Sequence, residues 1–247
     1  MKRREFLTIS ASLPFLSMPL CADDSDDIYL SLNDWPTLVS LHERLTRLRK
    51  YVGYMGFNTI SLDETLFYAR NYPKIGAFTQ NEMDLIERFF HEDPSKYGFF
   101  GKRTCESITN VIAQKEIVKI PYTGHFLFKG KAHEDYTKLT KDIGTTLVLT
   151  SGVRNVVKQL SLYVAKIHSV GGNMTKASIS LAPPAYSYHS VSDFDVGRKG
   201  WGHKNFTADF ATTDEFLKMK ELKYIGIRYT RNNRDGVRFE PWHVEVI

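Results

Sequence analysis

Cysteine is nearly absent from this 247-residue chain: only Cys21 and Cys105 occur. A disulfide framework is therefore excluded as the basis of the fold. No segment is of low complexity and no internal repeat occurs, so disorder is not expected beyond the N-terminus. No apolar run suits a membrane span, because the stretch FLTISASLPFLSMPL is short and broken by Pro14 and Pro19. Massed charge of one sign is missing too. The net charge is +5 with scattered basic residues, which gives no concentrated stripe for nucleic acid and suits solubility or an anionic surface equally well. What the chain does have is 42% hydrophobic side chains, enough for one large domain or one domain with an appendage.

Residues 1–22 read as a signal peptide. MKRREF is a basic opening, an apolar stretch follows, and LCA precedes the acidic DDSDD, which places cleavage after Ala22. The arginine pair followed by EFL resembles a twin-arginine signal, with a general secretory signal as the alternative. Cleavage there leaves Cys105 as the only thiol. Residues 23–32 are expected to form a flexible lead-in.

Residues 33–120 read as a helical N-terminal region. NDWPTLVSLHERLTRLRKYVG has cap-type residues, an early proline, helical spacing of apolar residues and a closing glycine. FTQNEMDLIERFF places Thr79 and Glu82 at capping-box spacing. After Pro121 the pattern changes to helices alternating with short strands. KAHEDYTKLTKDIG and NVVKQLSLYVAKIHSVGG read as helices, TTLVLTS as a buried strand, and TTDEFLKMKEL as a short helix begun by Thr212 and Glu215. IGIRYT and VRFEPWHVEV read as strands joined by the turn-rich RNNRDG. The fold class expected for 121–247 is α+β, with a small, mostly antiparallel sheet and flanking helices.

Two of the eight histidines stand apart. His189 is followed by Asp193 and Asp195, and His243 is preceded by Glu240. A catalytic zinc takes three ligands from His and Asp/Glu and leaves a position open, and a carboxylate outside the ligand set can move protons. Asp193 and Asp195 are two apart, so on a regular strand they share a face and either reaches a metal beside His189. On spacing alone, a zinc site and a solvated acidic strand fit equally.

Four segments in order resemble the VanY-like zinc D-alanyl-D-alanine carboxypeptidases, relatives of the hedgehog-fold zinc peptidases. They are TSGVRNVVKQ, SYHSVSDFD, RYTRNN and the terminal EPWH, and the resemblance covers about residues 121–247. It implies a zinc peptidase domain over that range. His189, Asp195 and His243 would be the zinc ligands, with Asp193 as the alternative. Glu240 would be the acid–base residue and Arg154 would stabilise the oxyanion or hold a terminal carboxylate. Ser187 and Gln159 would contact substrate. The family's histidine-to-aspartate interval is one residue longer, but Val196 stands at that position and cannot bind metal. Ser192 replaces the family's glycine and Val153 its tyrosine.

The implied activity is cleavage of D-Ala-D-Ala or related ends of peptidoglycan stem peptides by an exported, periplasmic enzyme without a membrane span after signal removal. An LD-carboxypeptidase or endopeptidase of the same fold is the nearest alternative. A non-catalytic cell-wall-binding protein is the alternative of another class, and intact Glu240 speaks against it. Trp242 is expected beneath the site. The loop GWGHKNFT, with Trp201, His203 and Asn205, lies near the site in sequence and reads as a wall of the cleft; His203 itself reads as a solvated loop histidine, with a polar cleft contact as the alternative. Glu240 and His243 lie three apart, so they meet at one metal only if the backbone leaves regular pleating, which Pro241 suits.

Overall fold

The computed structural model describes residues 26–247; the signal-peptide reading of 1–22 lies outside them. Among the described residues no helix is long and apolar enough to cross a membrane. Three helices come first: α1 Trp35–Val52, α2 Leu62–Asn71 and α3 Gln80–His91. Pro36 falls in the first turn of α1, where a missing N–H costs nothing. The Thr79/Glu82 capping box of α3 is formed, and Ser61/Glu64 builds a second one on α2. Glu82 is buried and also binds Arg44 Nε at 2.9 Å and Ser40 Oγ at 2.7 Å, which ties α3 to α1.

Strands β1 Ile117–Ile120 and β2 His125–Phe128 form an antiparallel hairpin. Next come α4 Lys131–Ile143, β3 Leu147–Ser151, α5 Val156–Ser169, α6 Met174–Ser180 and β4 Phe194–Arg198. The chain ends with α7 Asp214–Met219, β5 Ile225–Ile227 and β6 His243–Val246. The second sheet is antiparallel throughout, in the order β3-β4-β6-β5. The architecture is the expected α+β arrangement. Several elements differ in detail. Thr213, not Thr212, caps α7 by accepting from the Phe216 N–H. The segment YSYHSVSDFDVG, strand-like in pattern with turn chemistry inside, forms a 3-10 turn at Tyr188–Ser190 before β4 begins at Phe194. The last expected strand is regular only from His243.

Two cores organise these pieces. Leu38, Leu41, Leu45 and Leu48 of α1 pack with α2, α3 and, on α5 and α6, Leu160, Tyr163, Val164, Ile167 and Ala177. The other core lies between one sheet face and helices α4 and α7, with Leu147, Leu149, Phe194, Val196 and Val244 against Tyr136, Leu139, Phe216 and Met219. Helix α5 therefore belongs to the N-terminal helices' core while following β3 directly. The boundary expected at 120/121 falls inside the β1–β2 hairpin and separates no core. The lead-in is tied down over its second half. Leu30 N–H donates to Gly172 O at 2.8 Å, and Met174 N–H to Ile28 O at 2.8 Å. Two buried apolar helix faces meet across α1 and α5, and that shared burial is what joins the two sequence regions.

Candidate metal centre

The strand register alone brings two of the site residues together. Asp195 of β4 lies directly opposite His243 of β6 and pairs with Ser151 of β3. Phe194, Val196 and Val244 alternate with them and point into the α4/α7 core, so Asp195 and His243 face the other side. The third group, His189, comes from the 3-10 turn before β4. Its carbonyl accepts from Arg154 N–H at 3.0 Å, and Thr104 Oγ1 donates to Ser187 O at 3.0 Å. A segment of the N-terminal region thus braces the turn.

His189 Nδ1 lies 2.9 Å from Gly152 O and donates to it, which leaves Nε2 bare. That Nε2 is 3.2 Å from Asp195 Oδ2, and His243 Nδ1 is 3.4 Å from Asp195 Oδ1. One ligand atom from each of the three residues lies within 4.8 Å of the others, and all three are buried. Asp195 Oδ1 makes no hydrogen bond although it is buried. Two imidazole nitrogens and a carboxylate oxygen without a hydrogen-bond partner, converging at the wall of a cleft, form a donor set that fits a divalent metal.

Asp193 is elsewhere. It precedes β4, so the expectation that it shares a strand face with Asp195 does not hold. Its Oδ2 accepts from His243 Nε2 at 3.1 Å, and both its oxygens are bound by Arg228, which also lies 3.7 Å above the Tyr188 ring. A carboxylate behind a histidine in this way fixes the ring's tautomer and presents Nδ1 to the site.

Glu240 and His243 meet because the chain turns. His243 N–H donates to Glu240 O at 3.1 Å, closing a four-residue turn with Pro241 at its second position. Glu240 Oε2 lies 3.7 Å from His243 Nδ1. Trp242 is buried in the core beneath, where it was expected.

The electrostatics follow from this packing. Burial works against charge on Asp195, but His189, His243 and Arg154 outweigh it and hold its carboxyl at about 2. Burial, reinforced by Arg154, holds His189 at about 4. His243 is buried as well, yet Asp193 and Glu240 beside it push it up to about 9. Burial raises the Glu240 carboxyl above its ordinary range, against the opposing pull of His243.

Arg154 donates to Gln159 Oε1 and Ser151 Oγ, each at 2.9 Å, and its Nη2 is 3.5 Å from Asp195 Oδ2. Gln159 donates in turn to Ala182 O. Arg154, Gln159, Ser187, His189, Asp195, Glu240 and His243 all line one cleft. The loop expected at its wall contributes Phe206. Trp201, His203 and Asn205 do not line it: His203 is exposed, and Asn205 is buried holding Arg198 N–H and O. The sequence reading missed Tyr54, His125, Lys158 and Tyr229 in the cleft and Arg228 behind it. Lys158 alone carried a signal, since it falls one helical turn after Arg154.

Residues 129–247 match the family model VanY, D-alanyl-D-alanine carboxypeptidase. No curated protein matches the chain. Among solved structures the chain is similar to the LD-carboxypeptidase LdcB, with 21% identity, 49% of this chain and 59% of that one covered, and a TM-score of 0.43. It is similar to VanYB in complex with D-alanine-D-alanine, at 19% identity over 53% and 77% of the two chains with a TM-score of 0.40. A variant of the vancomycin-resistance D,D-pentapeptidase VanY in complex with Zn(II) is 18% identical over 53% and 78%, with a TM-score of 0.39. The chain thus spans only 59% of the LdcB chain. The family match and the ordered landmarks coincide on the same residues, and over residues 129–247 this chain is similar to the VanY family of D-alanyl-D-alanine carboxypeptidases.

Proposed function

We propose that this chain is a zinc-dependent carboxypeptidase that cleaves D-Ala-D-Ala or related ends of peptidoglycan stem peptides. The observation that carries the reading is the meeting of His189 Nε2, an Asp195 oxygen and His243 Nδ1 at one cleft with Glu240 beside them. His189, Asp195 and His243 would hold the metal, and Asp193 would orient His243 from behind. Zinc held there would supply Lewis-acid chemistry toward a carbonyl and a water.

Glu240 accepts the attacking water's proton and passes it to the departing amine as the peptide C–N bond breaks. Its raised pKa suits a group that must both take and give a proton. Arg154 directs guanidinium N–H groups toward the charge that develops on the carbonyl oxygen, or toward a terminal carboxylate. Ser187 and Gln159 contact the peptide. An LD-carboxypeptidase or a peptidoglycan endopeptidase uses the same residues, and the cleaved bond distinguishes them. A peptidoglycan substrate supports export to the periplasm, as does the signal peptide read at residues 1–22.

Digestion of muropeptides followed by mass spectrometry tests the reading and names the bond. Release of D-alanine is expected, and release of no amino acid or peptide would refute it. Metal analysis tests the ligand set. Asp195→Ala is expected to lose zinc, whereas Asp193→Ala should keep it with about 10–100-fold weaker affinity, the usual cost of removing an orienting partner. The reverse order would overturn the assignment. Glu240→Gln should keep zinc and lose turnover.

A further inference from the structure

The cleft wall beside Arg154 holds a cation that nothing in the reaction uses. Lys158 lies one turn along α5 from Arg154 and lines the same cleft. Its ammonium stands 5.3 Å from the Tyr54 ring centroid and 5.6 Å from that of Phe57. Among the described residues no carboxylate lies within ion-pair distance of it. Burial, with Arg154 adding to it, lowers its pKa to about 8. A largely buried ammonium without a counter-ion is costly, and a ligand anion removes that cost.

Tyr54 stands at the same wall and is built for a hydrogen bond outward. Its hydroxyl is 2.9 Å from His125 Nε2. His125 is buried at the start of β2, and its Nδ1 has no partner. A buried N–H without an acceptor is rarer than a bare lone pair, so the ring's proton belongs on Nε2. His125 then donates to the Tyr54 oxygen and leaves the phenolic O–H free to donate to a ligand. The wider cleft agrees. Arg154, Lys158, Lys166 and Arg238 line it, against only Asp195 and Glu240 as acids, so its field favours an anion.

We propose that Lys158 and the Tyr54 hydroxyl, the latter positioned by His125, form an anion subsite that takes a carboxylate of the peptide ligand. The inference rests on the peptidase reading of the cleft. A peptide offers that carboxylate from two sources: the terminal carboxylate of the leaving residue, or a side-chain carboxylate on the residue before the D-alanines.

The test measures binding by calorimetry to full-length Glu240→Gln protein, so that hydrolysis does not intervene. Two ligand pairs separate the sources. N-acetyl-Glu-D-Ala-D-Ala against N-acetyl-Gln-D-Ala-D-Ala probes the side chain, and the latter peptide with a free or an amidated end probes the terminus. One carboxylate form should bind about tenfold or more tightly than its amide, the range of a charge-assisted hydrogen bond. That preference should collapse toward unity when Lys158→Gln is added and shrink when Tyr54→Phe is added. Circular dichroism melts establish that both variants fold, and Tyr54→Phe carries the test alone if Lys158→Gln does not. Equal binding of carboxylate and amide in the parent, or a preference surviving both substitutions, refutes the subsite. Absence of binding by every peptide refutes it as well. Loss of hydrolysis in the wild-type chain with the preference intact would refute the enzymatic reading alone.

Discussion

Asn155 gives the sharpest test of how the two sequence regions are joined. It is fully buried, one residue after Arg154 and at the start of α5. Its side-chain amide donates to Thr59 O and Ile60 O at 3.2 Å and to Asn110 O at 3.0 Å, and its Oδ1 accepts the Val156 N–H at 2.8 Å. Asn155→Ala removes two amide N–H donors shared among one buried and two part-buried carbonyls, at about 1 kcal/mol for each N–H, and removes a helix cap worth about 1 kcal/mol. The expected loss is therefore about 3 kcal/mol, a large part of a typical stability of about 5–15 kcal/mol. Urea unfolding followed by far-UV circular dichroism measures it. Asn155→Asp separates the two roles. Asp caps as well as Asn, but it turns a carboxylate oxygen toward three carbonyl oxygens. It should cost at least as much as Ala. If Asn155→Asp is neutral, or Asn155→Ala costs less than about 1 kcal/mol, this residue does not join the regions and the reasoning is refuted.

Three further outcomes are expected. A Cβ at Gly152 would lie 2.0 Å from Phe126 O, and Gly152 O anchors His189 Nδ1. Gly152→Ala should therefore cost about 1–3 kcal/mol in urea unfolding and displace His189, with weaker zinc binding by titration. Burial holds His125 at about 4 in the folded protein, with Lys158 and Arg154 adding to the effect. The unfolded chain then binds more protons between pH 4 and its ordinary value near 6.5. Stability should fall as pH drops through that window, by up to ~3 kcal/mol from this group, and His125→Gln should flatten the slope. Finally, His243 carries a proton at neutral pH before metal arrives, because its pKa is about 9. Zinc binding at pH 7 should therefore release protons, detectable as a buffer-dependent heat; a heat independent of buffer ionisation would contradict the protonation assigned to it.

The chain's own order of residues determined much of this protein. Helices α1, α3, α4 and α5 were legible because apolar spacing and cap residues are local signals. The Glu240–His243 turn was foreshadowed by Pro241, since the pleat of a strand forbids two residues three apart from facing one site. The landmarks that identify the family are short and local as well. α2 and α6 were missed although Ser61 and Glu64 show a capping-box spacing.

Tertiary structure decided the rest. Sequence spacing left Asp193 and Asp195 equivalent; their difference arises where β4 begins and from Arg228, 35 positions from Asp193, claiming it. The cleft's Tyr54 and His125 could not be read locally, because their contact joins the end of α1 to the β1–β2 hairpin across 71 positions. Periodicity reports which face of α5 is apolar but not which helix covers it, and α1 covers it because burying both faces together removes more apolar surface from water than either element achieves alone.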